Sequence, residues 1–242
     1  VGQQTLHHGP GKSLCRAVSA GDNSQVLIIE PVIETFDAKG FTAWPVSLPA
    51  GSRHLVLCGE LAPADVGTVM AVIAVYNHEH LASSGDEDED PGPTRLIQRI
   101  TQADSLIAPG GLRVRDTASG LVVSPGCCGE LEGWREWNQA PDGLSPWLGH
   151  DPAPWIEHLG GKIRVWPDGG IESEAVPPAG SSPVEIAASD LPGLIADAHK
   201  KLQDFLDLIE PWARPLAGGA AGGPAAALAA HFHVSWPGPG AS

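Results

Sequence analysis

Cysteine is scarce in this chain. Four in 242 residues, with only Cys127 and Cys128 close to one another, are too few to staple a fold of this length. A disulfide framework is excluded, and reduced thiols are the expectation. Positive charge is scarce too: 14 Lys and Arg stand against 29 Asp and Glu, for a formal net charge of −15. Such a balance opposes phosphate backbones and anionic lipid and favours basic protein partners, so neither nucleic acid nor membrane is expected as a ligand. No apolar run is long enough to span a bilayer, and no charged segment followed by an apolar one opens the chain, so the expected location is cytoplasmic. Signatures of common enzymes are missing as well. There is no GxGxxG ahead of a helix, no GxxxxGK followed by Ser or Thr, no GxSxG and no HExxH pair.

What is present suffices for a folded protein, since 42% of the residues are hydrophobic. Eight Trp outnumber four Phe and one Tyr, and Gly and Pro are abundant, a composition in keeping with a high-GC bacterial genome. Five of the eight Trp lie between Leu121 and Trp166. A large apolar ring with one N–H to satisfy marks either a core or a binding surface. Trp134, Trp137, Trp147 and Trp155 are read here as the binding set.

Periodicity supplies the elements. Apolar runs at Val26–Ile29 and Leu55–Cys58 predict strands, and Ala62–Asn77 predicts a helix buried over much of its circumference. His78 and His80 at its carboxyl end complement the helix dipole. Asp86–Asp90, the run DEDED, cannot pack and reads as a solvated spacer. A helix capped by Thr94 and running to Ile107 follows, then a hairpin whose strands hold Leu112–Arg115 and Leu121–Val123. Past Ser124-Pro125-Gly126-Cys127-Cys128 a short helix carries Leu131, Trp134 and Trp137, and Gln139–Trp155 reads as an ordered irregular loop. Ile163–Trp166 predicts a strand to which Ile171 onward pairs back, and Val184–Ala187 predicts another. The clearest helix runs from Leu191 to about Arg214, capped by Ser189 or Asp190. Gly218–Ala230 reads as a flexible connector ahead of an edge strand with Phe232, Val234 and Trp236 turned inward.

These elements give an α+β fold, a small antiparallel sheet with helices packed on one face, in two subregions. The expected divisions are a flexible arm (1–24), an N-terminal α/β subregion (25–82), an acidic linker (83–93), a C-terminal α+β subregion (94–216) and a Gly/Ala-rich tail able to form an edge strand (217–242).

Two constellations carry candidate chemistry. His150 and Asp151, with Glu157 and His158 nearby, offer imidazole and carboxylate ligands suited to zinc or iron, although the spacing matches no established clamp. The plainer reading is an Asx-type turn before Pro152, with His150 bonded to backbone. Cys127 and Cys128 offer a nucleophile, a metal ligand or a strained vicinal disulfide, against the plainer reading of structural thiols. A thiolate–imidazolium pair of either with His150 is the catalytic version. His7-His8 in the amino-terminal arm is read as solvated.

Ser124-Pro125-Gly126-Cys127-Cys128, Trp134-Arg135-Glu136-Trp137, Trp147-Leu148-Gly149-His150-Asp151-Pro152 and the Arg164-Val165-Trp166 strand together resemble an uncharacterised type of bacterial protein. The resemblance covers roughly the second half of the chain and implies no activity. The leading expectation is a non-enzymatic acidic binding protein that needs no cofactor and masks a basic protein partner, in the general manner of immunity proteins. The alternative is a metal-dependent or thiol enzyme using Cys127, Cys128, His150, Asp151 and His158.

Overall fold

Leu27–Glu34, sequence LIIEPVIE, is apolar at consecutive positions, as a strand covered on both faces should be. The computed structural model describes residues 26–48, 51–81, 92–170, 175–217 and 223–238, and in it this segment is strand β1. With His54–Val56 (β2), Gly110–Asp116 (β3) and Val122–Val123 (β4) it forms an antiparallel sheet ordered β2-β1-β3-β4. The register is set by seven Cα partners between β1 and β3, from Leu27↔Asp116 to Ile33↔Gly110. Pro31 lacks an N–H, yet sits on an inner strand. Its carbonyl accepts from Leu57 N–H at 2.9 Å, one residue past the end of β2, so the missing donor falls where that neighbour has left the sheet.

Glu30 is buried within β1 and is not left alone. Arg113 donates to it through Nε at 2.9 Å and Nη2 at 2.5 Å, with Arg115 at 3.5 Å and Lys201 at 3.9 Å. Burial is the chief cause that lowers the pKa of Lys201, and the Glu30 charge opposes it. Lys201 comes from helix α4 (Leu191–Ala213), which packs on β1 and buries Leu191, Ile195, Ala198, Leu202, Phe205, Leu206 and Ile209 along one stripe. Each of the Leu, Ile and Phe side chains contributes roughly 1.5–3 kcal/mol.

Helix α1 (Pro63–Tyr76) is buried nearly all round from Asp65 to Ala74. The Asp65 carboxylate accepts from Ala62 N–H at 3.1 Å to fix its start. Gly67 is where the chain before it approaches most closely: a Cβ there would stand 2.2 Å from Pro45 O. After the short helix α2 (His78–Leu81), helix α3 (Pro93–Gln102) packs on helix α5 (Pro224–His231). Trp155–His158 (β5), Lys162–Trp166 (β6) and Val184–Ala187 (β7) form a second antiparallel sheet, ordered β5-β6-β7. Ile156, Ile163, Val165, Val184 and Ile186 turn inward from it. Glu157, Arg164, Glu185 and Lys162 form an ion-paired outer row. One continuous core runs under both sheets.

The α+β class is as expected, with two small sheets in place of one. The sheet of β1 to β4 is built from both sides of the acidic run, whose residues 82–91 lie outside those described, as do the arm through residue 25 and the pairing proposed from Ile171. Three local expectations are corrected. Gly92, not Thr94, stands at the N-cap of α3, and the Thr94 hydroxyl donates to Leu216 O at 2.8 Å. That helix ends at Gln102 because the Asn77 side chain captures Ile107 in extended form, donating to its carbonyl and accepting from its N–H, each at 2.8 Å. At the carboxyl end, α5 occupies Pro224–His231, started by left-handed Gly223 and Pro at the first turn, and no strand follows it among the described residues. Phe232 and Val234 are buried there without a ladder.

Cys58 is disulfide-bonded, which corrects the expectation of reduced thiols at this position. No described helix is long and apolar enough to cross a membrane.

Candidate functional site

Two irregular stretches cross beyond the end of β4, and glycine lets them do so. Gly126 N–H donates to Leu148 O at 2.8 Å, Cys127 N–H to His150 O at 2.6 Å, and His150 N–H to Cys127 O at 2.8 Å. A Cβ on Gly126 would stand 2.0 Å from Pro152 O, and Gly149 carries φ +90°. The two backbones therefore touch with no side chain between them.

Cys127 and His150 exchange both N–H···O bonds, so they form a hydrogen-bonded antiparallel pair with side chains on one face. In a regular strand the next residue would point the opposite way. Here both next residues leave the strand conformation: Cys128 has φ 58° and Asp151 φ 51°. Each side chain is folded back onto its predecessor. Cys128 Sγ lies 3.6 Å from Cys127 Sγ, and Asp151 Oδ2 lies 3.0 Å from His150 Nδ1. A left-handed conformation at a non-glycine residue costs about 1–2 kcal/mol, so the bonded crossing imposes it twice. The thiols of Cys127 and Cys128 and a ring nitrogen of His150 consequently lie within 4.8 Å of one another.

The surroundings are acidic and partly aromatic. Hydrogen bonding to Cys127 raises the Cys128 thiol pKa first, then desolvation, then the charges of Cys127, Glu130 and Glu34. Burial raises the Tyr76 hydroxyl pKa, followed by Cys128, Glu130, Cys127 and Asp37. Asp37 is itself raised by burial and then by Glu34. Trp147 is 58% exposed, and its indole N–H donates to Cys128 O at 3.0 Å, which fixes the ring beside the thiols. Tyr76 is 41% exposed.

The expected site residues separate accordingly. Cys127, Cys128 and His150 come together, with Asp151 orienting the imidazole. His158 does not join them: its Nε2 lies 3.0 Å from Ser145 Oγ, and Glu157 accepts from Trp166 Nε1 at 3.0 Å. Trp147 is offered to solvent, whereas Trp134 and Trp137 are core, 6% and 2% exposed, with Trp134 N–H donating to Phe232 O. Trp155 is half-buried on the second sheet and stacks on Trp166 at 6.1 Å. Glu34, Asp37, Tyr76 and Glu130 were not singled out from sequence. They are scattered along the chain in no motif, and only the sheet end brings them round the crossing.

The cleft bounded by Pro125, Glu130, Trp134 and Trp147 holds about 10 Å³. A larger open groove of about 450 Å³ lies elsewhere, lined by Glu60, Lys201, Asp204 and Asp207. Fold and site thus define an α+β chain with a thiol–imidazole crossing where two irregular stretches meet. No protein-family model matches the chain, and neither a curated protein nor a solved structure does.

Proposed function

We propose that the chain is a binding protein whose acidic face around the Cys127–His150 crossing takes up a basic protein partner. The observation that carries this reading is the acidic charge of Glu130 and Glu34 at Cys128 and of Glu130 and Asp37 at Tyr76, beside two exposed aromatic side chains, Tyr76 and Trp147, the latter bonded to Cys128 O. Carboxylates attract and orient a cationic surface, and an aromatic face adds cation–π attraction, stronger for guanidinium than for ammonium. The formal charge of −15 extends the same attraction over the whole molecule.

Arginine-rich and lysine-rich peptides of equal charge are the probes, with tryptophan fluorescence as the readout. The arginine peptide is expected to bind more tightly, with affinity falling as salt rises past the point where screening reaches about 8 Å. Glu130→Lys with Trp147→Ala is expected to weaken it at least about tenfold, the loss of roughly 1.4 kcal/mol. Affinity equal for both peptides and unmoved by that double variant would overturn the proposal.

A further inference from the structure

We propose that Cys127, Cys128 and His150 together bind one soft divalent metal ion of zinc type, with a fourth coordination position open to solvent. This is separate from the partner reading, and either can fail alone.

The donor set is assembled by backbone devices that nothing in the packing of a core requires. The paired bonds between Cys127 and His150 put two donors on one face, and the left-handed turn at Cys128 brings a third donor to the same face at the cost of strain. Cys128 is exposed, so burial of an apolar thiol does not compensate that cost. The two sulfur atoms stand 3.6 Å apart. They are too far apart for a disulfide, whose S–S distance is about 2.05 Å. Two thiolates each about 2.3 Å from a tetrahedral ion would lie about 3.8 Å apart, close to the spacing seen.

The second observation is the orienting carboxylate. Asp151 Oδ2 lies 3.0 Å from Nδ1 of the His150 ring, and a proton placed between them would leave the Nε2 lone pair to coordinate. A carboxylate behind a ligating imidazole both fixes the ring and strengthens the ligand. Two sulfurs and one imidazole select zinc-like ions over magnesium or calcium, which prefer oxygen. Binding replaces the two thiol protons by the metal, so protons are released to solvent and affinity rises with pH.

The test uses the full chain with its Cys58 disulfide intact, stripped with chelator and titrated separately with Zn²⁺, Co²⁺ and Mg²⁺. One Zn²⁺ per chain is expected, with proton release, and Co²⁺ is expected to give thiolate-to-metal charge-transfer absorption. Mg²⁺ should produce neither. Asp151→Asn should weaken Zn²⁺ about 10–100-fold while keeping the stoichiometry. Cys128→Ser, at an exposed side chain, and His150→Ala should each abolish the one-to-one complex, and Cys128→Ser keeps the test standing if His150→Ala does not fold. Replacing His7 and His8 by Ala should leave binding intact. Absence of Zn²⁺ binding, Co²⁺ binding without sulfur charge transfer, or full affinity after Cys128→Ser would each overturn the proposal.

Discussion

The inner strand pair β1–β3 and the crossing of Gly126–Cys128 with Leu148–Asp151 are both antiparallel backbone contacts, held by different means. Along β1–β3 seven residue pairs lie in register, covered by side chains such as Ile29, Ile33, Leu112 and Val114, and the buried Glu30 carboxylate meets three cations. At the crossing a single bridged pair and one further bond hold two glycine-flanked chains together, and two residues carry strain. Redundant burial makes the first region indifferent to any one bond. In the second region each bond positions a donor group, so it has specificity without redundancy.

The strongest way to sharpen that contrast is Trp137→Ala. Trp137 is 2% exposed and lies on the face of the 3-10 segment Leu131–Asp142 turned to the core, so the change should cost about 3–5 kcal/mol in chemical denaturation. A loss under about 1 kcal/mol would mean that the core does not depend on it as argued.

An intermediate effect is expected at Glu132, between the two regions. Its Oε1 accepts from Ala108 N–H at 2.8 Å, its Oε2 is buried without a partner among the described residues, and burial raises its pKa to about 7 from 4.5. The folded state then holds a proton that the unfolded chain releases earlier. Stability from this group is complete below pH 4.5 and is lost as pH rises through 7, an effect on the order of 1–3 kcal/mol. Glu132→Gln should flatten the fall in stability over this window relative to the parent chain. Parallel pH profiles for the two proteins would show that Glu132 ionises normally.

The smallest effect is expected for Cys128→Gly, which removes the left-handed strain at φ 58° and should raise stability by up to about 1 kcal/mol. Destabilisation would show that the thiol contributes packing and that the strain argument fails.

Much of this architecture is legible in sequence where one period rules a long segment. Helices α1 and α4 and the β3–β4 hairpin follow directly from such runs. Trp134 and Trp137 were legible as well, through a signal not used: Leu131, Trp134, Trp137 and Ala140 are all buried and recur every three residues, the period of a 3-10 helix with one covered face. Strand β5 was hidden because Trp155–His158 follows a proline-rich stretch and becomes a strand only by pairing with β6. The crossing was half-visible. Gly126 and Gly149 beside chemically active residues hint at close backbone approach, but that they approach one another depends on contacts more than twenty residues apart. The left-handed turns at Cys128 and Asp151 have no signature in a single sequence, since they follow from the bridge and not from residue preference.

The lengths of the outer strands in the larger sheet have a consequence for how copies of this chain behave in a crowd. Its margins are β2, three residues, and β4, two residues. Exposed strand margins are templates on which a second molecule can add and start a fibre, and the gain grows with each rung available. Here a newcomer would find two or three rungs before the margin ends, against seven aligned pairs in the interior. The long apolar strand β1 is thus an inner strand, paired along seven residues with β3, and the short strands are the ones at the margins.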